Sequence, residues 1–213
     1  MLGDVTQSTQ FPIDNGGARV LDAIARAGGP RFPAYETIVT LQRAGMAERA
    51  RLSDMARRPE QNVQLRGGDV IFVGREPRYF LAMGATGPLA SSSPVNRRMP
   101  FEGEAISLGD ALARAGGLQD DRADARAVFV FRNERPETAR SLGGEVPANF
   151  TTMPTVYWVD MSDPAGLFLA NGFPMRDQDV IFDSTAASVD VVKFLQVVIP
   201  FANTGIALGA VTR

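Results

Sequence analysis

A helix drawn through residues 189–211 would gather Lys193, Gln196, Pro200, Asn203, Thr204 and Ala207 within one arc of roughly 100°. Val191, Phe194, Leu195, Val198, Ile199, Phe201, Ala202, Ile206 and Leu208 would cover nearly all the rest. Its length, at ~1.5 Å per residue, would be about 34 Å, enough to cross a bilayer core. A lone helix carrying Gln, Asn and Lys would be costly in lipid. A ring of such helices would not be, because each polar stripe would face water and each apolar face lipid. Three readings stay open on the wheel alone: a helix packed on the protein's own core, one lying on a membrane surface, and one member of a spanning ring.

The other candidate chemistry is carboxylate. Asp120, Asp121 and Asp124 cluster in one place, and Asp177 and Asp179 in another. A glycosidase needs two carboxylates across a cleft. Asp120 and Asp121 follow a helix-ending Gly-Gly-Leu, which reads as a solvated loop, and Asp179 has a counterpart in Asp69, which reads as a repeated turn role. Asn149-Phe150-Thr151 matches a glycosylation sequon and carries little weight in a loop. The chain has neither Cys nor His. That removes zinc sites of the usual ligand types, thiol nucleophiles, iron–sulfur clusters and Ser-His-Asp triads. No catalytic, cofactor-binding or metal-binding residue is expected. A net charge of -2 gives no basic field for nucleic acid, and Arg57-Arg58 and Arg97-Arg98 are too short to change that.

The elements that position these residues are duplicated. Asp22-Ala23-Ile24-Ala25-Arg26-Ala27-Gly28-Gly29 returns as Asp110-Ala111-Leu112-Ala113-Arg114-Ala115-Gly116-Gly117. Arg66-Gly67-Gly68-Asp69-Val70-Ile71-Phe72 returns as Arg176-Asp177-Gln178-Asp179-Val180-Ile181-Phe182. The two offsets are 88 and 110 residues, so the second copy carries about 22 more residues between its phrases.

In the first copy, extended pieces are expected near Leu2–Val5 and Phe11–Ile13, and a helix follows that Gly28-Gly29 stops. Thr37–Leu41 is expected as a strand, followed by a polar arm with a short helix near Leu52–Arg57, and Asp69–Val73 as the closing strand. The Gly-Gly pairs follow their helices, which reads as a C-cap and not a phosphate cradle.

In the second copy, Tyr79–Met83 is a strand and Gly87–Pro100 a loop. Ser107 caps a helix with Asp110 at the capping-box position. Ala127–Phe131 and Val156–Val159 are strands, with an exposed loop over 133–153 between them. Asp163 and Pro164 start a short helix that Phe168 and Leu169 would pin to the core. Asp179–Phe182 closes the module. The predicted class is α+β: two tandem β-grasp modules, 1–76 and 77–186, and a C-terminal amphipathic helix over 187–213.

The LxDAhARAGG phrase and the GDVIFV-like closing strand resemble the soluble-ligand-binding β-grasp (SLBB) module. Two such modules and a terminal amphipathic helix resemble the Wza-like outer-membrane polysaccharide export proteins. Phe80–Gly84, Ala127–Arg132, Val156–Met161, Leu167–Ala170, Phe173–Ile181 and Val192–Leu195 carry the resemblance in order.

That resemblance implies a homo-oligomeric ring with periplasmic modules and a helical barrel through the outer membrane. Capsular polysaccharide or exopolysaccharide would pass through its lumen, with an inner-membrane co-polymerase as partner and no catalysis. Lys193, Gln196, Asn203 and Thr204 would line the lumen; Phe194, Leu195, Val198, Phe201 and Ile206 would face lipid. The alternative is a periplasmic β-grasp module that binds a soluble glycan or metabolite without a pore. The family's signal sequence and N-terminal export domain have no counterpart before Met1, so an N-terminally truncated member is expected.

Overall fold

In a computed structural model of the chain, residues 1–13, 16–84, 97–118, 123–144, 146–147 and 150–185 are described, together with the backbone of 207–210. The chain divides into two units, Met1–Pro77 and Arg78–Arg213.

Module one runs β1 (Leu2–Gly3), α1 (Val20–Arg26), β2 (Thr37–Arg43), β3 (Met46–Arg51), α2 (Leu52–Arg57), a 3₁₀ turn (Pro59–Gln61) and β4 (Val70–Arg75). The sheet order is β1-β4-β2-β3. β4 lies parallel to β1 and antiparallel to β2. Val20, Ala23 and Ile24 fall on one face of α1 and pack on Val39, Ile71 and Val73.

Module two runs β5 (Tyr79–Gly84), β6 (Arg97–Pro100), α3 (Leu108–Arg114), β7 (Ala123–Glu134), α4 (Pro136–Ser141), β8 (Met153–Val159), α5 (Pro164–Gly172), β9 (Val180–Thr185) and β10 (Ala207–Ala210). Its order is β10-β8-β7-β9-β5-β6. Again the closing strand, β9, is parallel to the opening strand, β5, and antiparallel to the middle one, β7. α3 and α5 share one face of this sheet, where Leu108, Leu112 and Ala170 meet Val128, Val130 and Ile181. The expected α+β class holds for both modules.

The repeated helix phrase does the same work twice. Asp22 Oδ2 accepts the Arg19 N–H at 2.8 Å, and Asp110 Oδ2 accepts the Ser107 N–H at 3.0 Å. These contacts satisfy the orphan donors at each N-terminus. At the other end Gly28 and Gly29 take φ of +77° and +84°, and Gly116 and Gly117 take +103° and +77°. The Gly29 and Gly117 N–H groups donate back to Ile24 O and Leu112 O, each at 2.9 Å. Both glycine pairs are therefore helix stops.

Several expectations need correction. Phe11–Ile13 forms no strand; Phe11 and Ile13 pack on the module-one core from an irregular segment. The polar arm contains β3, whose mostly exposed face hides the alternation that would mark a strand. The Pro/Ser-rich loop ends in β6, an edge strand where Pro100 sits at the terminus and its missing N–H costs least.

The stretch 133–153 is not simply an exposed loop. β7 extends through Glu134, and Ala139 of α4 packs against buried Met153. Phe168 does not pin α5: it is 79% exposed. Gly166 and Ala170 seat that helix instead, and a Cβ on Gly166 would stand 1.6 Å from the Asp160 carbonyl oxygen.

Within the expected terminal helix, Ala207–Ala210 is a strand, paired parallel to β8. Pairing there satisfies an otherwise open strand edge, and Gly209 is a poor helix residue. Residues 187–206 and 211–213 lie outside the described residues.

Candidate functional site

The residues expected to line a lumen, Lys193, Gln196, Asn203 and Thr204, all lie outside the described residues. So do Phe194, Leu195, Val198, Phe201 and Ile206, and Asp120, Asp121 and Asn149 as well. Among the described residues no helix is long and apolar enough to cross a membrane. The polar chemistry that is described gathers at the turn before each closing strand.

In module one Asp69 folds back on its own turn. Its N–H donates to Arg66 O at 3.1 Å, and its Oδ2 accepts the Arg66 N–H at 2.8 Å. Arg43, at the end of β2, grips the same carboxylate with Nε at 2.8 Å and Nη2 at 2.6 Å. Its Nη2 also donates to Gln64 O at 2.8 Å. This fork-to-fork bond from Arg43 holds the Asp69 carboxyl below its ordinary range, with its burial opposing.

Module two repeats each contact. Asp179 N–H donates to Arg176 O at 3.3 Å and its Oδ2 accepts the Arg176 N–H at 2.6 Å. Arg132 grips it with Nε at 2.9 Å and Nη2 at 2.6 Å and reaches Pro174 O at 2.7 Å. The shared turn role of Asp69 and Asp179 is thus present in both modules. Sequence reasoning missed Arg43 and Arg132. The signal was a basic residue closing the same β-branched and aromatic strand in both copies.

The second clasp is more deeply set. The Arg132 side chain is 5% exposed, against 30% for Arg43. It also carries an annex that module one lacks. Buried Glu134 accepts the Tyr157 O–H at 2.7 Å and Arg176 Nη1 at 2.7 Å. Burial pushes the Glu134 carboxyl up, but Tyr157 and Arg176 together bring it below its ordinary value. Burial and the Glu134 carboxylate push the Tyr157 phenol up to about 12. Every charge in this cluster has a partner, so it fixes the turn and the strand ends; it presents no free acid–base pair to a ligand.

One group breaks that pattern. Asp183 is fully buried, and neither carboxylate oxygen has a hydrogen-bond partner among the described residues. Burial, reinforced by Asp124, pushes it up to about 7. The equivalent position in module one is Val73, also fully buried. Asp177, the remaining carboxylate of the sequence pattern, accepts the Tyr79 N–H at 2.9 Å and so is structural.

Two copies of one topology, each locked by the same Arg–Asp clasp, match the SLBB domain over residues 1–73 and 95–182. The chain belongs to the SLBB domain family. This SLBB chain is 36% identical to the capsule polysaccharide export outer membrane protein CtrA of Neisseria meningitidis serogroup A, over 93% of its own length and 51% of that protein. It is 30% identical to the capsule polysaccharide export protein BexD of Haemophilus influenzae, over 90% of the chain and 48% of BexD. It is 28% identical to the EPS I polysaccharide export outer membrane protein EpsA of Ralstonia solanacearum, over 99% of the chain and 51% of EpsA. The chain thus spans about half the length of the curated relatives it matches.

Proposed function

We propose that this SLBB chain forms part of an outer-membrane exporter of capsular polysaccharide or exopolysaccharide. The observation that carries the reading is the match of both modules, nearly end to end, to relatives named for that export. The chain works without catalysis, as a subunit of an oligomeric channel with its modules in the periplasm. The polymer passes through the lumen after delivery by an inner-membrane co-polymerase. The saturated clasps fit that role, since they make each module a rigid building block and expose no reactive pair.

The terminal segment supplies the membrane element. The stretch that carries the pattern is residues 189–211, about 34 Å as a helix at ~1.5 Å per residue against a hydrocarbon core of about 30 Å, and spanning would release Ala207–Ala210 from its pairing with β8. Lys193, Gln196, Asn203 and Thr204 face the lumen, and Phe194, Leu195, Val198, Phe201 and Ile206 face lipid. Single Asp substitutions test this orientation. Leu195→Asp and Val198→Asp are expected to move the protein out of the outer-membrane fraction, while Gln196→Asp stays in it. Equal behaviour of the three variants would overturn the assignment.

A further inference from the structure

Each sheet has an inner face, on which its helices pack, and an outer face opposite. On the inner face the two modules differ in how much they fill. Strand register fixes which residues correspond. Ile71 and Ile181 hold the same place in the repeated closing phrase. Leu41 pairs with Ile71 on one side and Glu48 on the other; Val130 pairs with Ile181 and Tyr157. Directly opposite residues share a face, so Glu48 stands where module two has Tyr157. Two residues on, Ala50 lies opposite Val39 where Val159 lies opposite Val128. Val63, three residues before Arg66, stands where Phe173 precedes Arg176.

In module two these positions are packed. Tyr157 is 6% exposed and meets Phe173 edge to face, with 5.1 Å between ring centroids. The Arg132 guanidinium lies over both rings, 4.8 Å from Phe173 and 5.6 Å from Tyr157. In module one neither position holds a ring. Glu48 is exposed and Val63 is 38% exposed. Arg43, the counterpart of Arg132, loses the cover of those two rings, and its side chain is 30% exposed. A cavity of about 440 Å³ opens at this place, lined by Val39, Leu41 and Met55 and by all three exchanged residues, Glu48, Ala50 and Val63. Sites for small molecules run from about 300 to 1,000 Å³ and are mostly apolar with a few polar groups, as this one is.

We infer that this module-one cavity binds a small molecule with a phenol-class ring, which takes the place that Tyr157 and Phe173 fill in module two. The apolar lining removes the ring carbons from water. The Glu48 carboxylate accepts hydrogen bonds and donates none, so it selects a ring that carries an O–H. Module two shows the same pairing internally, where buried Glu134 accepts the Tyr157 O–H at 2.7 Å. The occupant is a free molecule and not a tyrosine on another polypeptide. β3 is the edge strand beside the cavity, and its Glu48, Arg49 and Arg51 oppose the addition of a further strand there. The inference goes beyond the export reading and does not depend on it.

Titration of the purified chain with p-cresol, followed by methyl NMR, tests the site. Shifts should saturate at Val39, Leu41 and Met55, with a dissociation constant on the order of a millimolar for so small a ligand. Val128 and Val130 of module two should not shift. Toluene, the same ring without an O–H, should bind roughly tenfold more weakly, the worth of one hydrogen bond to a charged group. N-acetyltyrosinamide, the same ring on a peptide unit, should bind no tighter than p-cresol. Val63→Phe restores the side chain of Phe173 and should abolish the shifts. Ala50→Val, a milder filling that restores the side chain of Val159, should weaken binding and keeps the test open if the larger change unfolds the module. No saturable shift in the parent, unchanged affinity in the folded filled variants, toluene as tight as p-cresol, or tighter binding of N-acetyltyrosinamide would overturn the inference. Such a failure would leave the export reading intact, because that reading is tested on membrane fractions.

Discussion

Module one and module two share a frame and diverge in what surrounds it. Both place parallel opening and closing strands side by side and carry a Gly-Gly-stopped helix. Both tie the closing turn to the middle strand with one Arg–Asp fork. Module one stops there, with a four-stranded sheet, an open outer face and a clasp that water reaches. Module two has six strands, an outer face on which Phe129 and Val156 are buried, a buried clasp with a Glu134–Tyr157–Arg176 annex, and a buried Asp where module one has Val73. The common parts are therefore what the fold requires. The additions all belong to the copy that leads into the terminal segment, and they are the places to look for the export function.

The clasps should separate the copies most strongly. Asp179→Ala would strand the Arg132 guanidinium in a buried site, at a cost of roughly 3–5 kcal/mol. Asp69→Ala frees an Arg43 that can turn to water, and the loss should be nearer ~1–2 kcal/mol. Urea unfolding measures both, with Trp158, the only tryptophan, reporting on module two. Equal losses would erase the distinction between a buried and a wetted clasp.

Asp183 should give a smaller, pH-dependent difference. Its carboxyl keeps its proton in the fold up to about pH 7, whereas an unfolded Asp loses it near pH 4. Its contribution to stability is therefore fully present below about pH 4 and is lost as pH rises towards 7, by a few kcal/mol at about 1.4 kcal/mol per tenfold change in proton affinity. Asp183→Asn should unfold at a higher temperature than the parent at pH 8 and with little difference at pH 4. Val73→Asp should import the same pH dependence into module one. A difference between Asp183→Asn and the parent that does not change with pH, together with a Val73→Asp variant no more pH-dependent than the parent, would contradict the burial argument.

The parts of this fold that read directly from sequence are those built by local interactions. Asp22 and Asp110 reach back three residues, and the glycines stop the helix they follow, so a short repeated phrase encodes the element whole. The closing strands announce themselves by their β-branched and aromatic runs. What escaped was set by distant partners. Arg43 and Asp69 are 26 residues apart and Arg132 and Asp179 are 47 apart, so neither clasp is visible as a motif. β3 is too exposed to alternate, and β6 follows a Pro- and Ser-rich stretch that masks it. Phe168 looked like a core anchor because an aromatic on a short helix usually is. Gly166 brings α5 so close to the Asp160 backbone that Ala170 is enough to seat it, and Phe168 is turned outward. The stripe of Lys193, Gln196, Asn203 and Thr204 remains a pattern of the sequence, joined to the described fold only through β9 and β10.

The export account is tested most directly by fractionating cell envelopes that carry the native protein, with and without residues 188–213. The account predicts that the intact protein sediments with the outer membrane and that the truncated form is released into the soluble periplasmic fraction. Retention of the truncated form in the outer membrane, or solubility of both forms, would contradict a membrane role for the terminal segment.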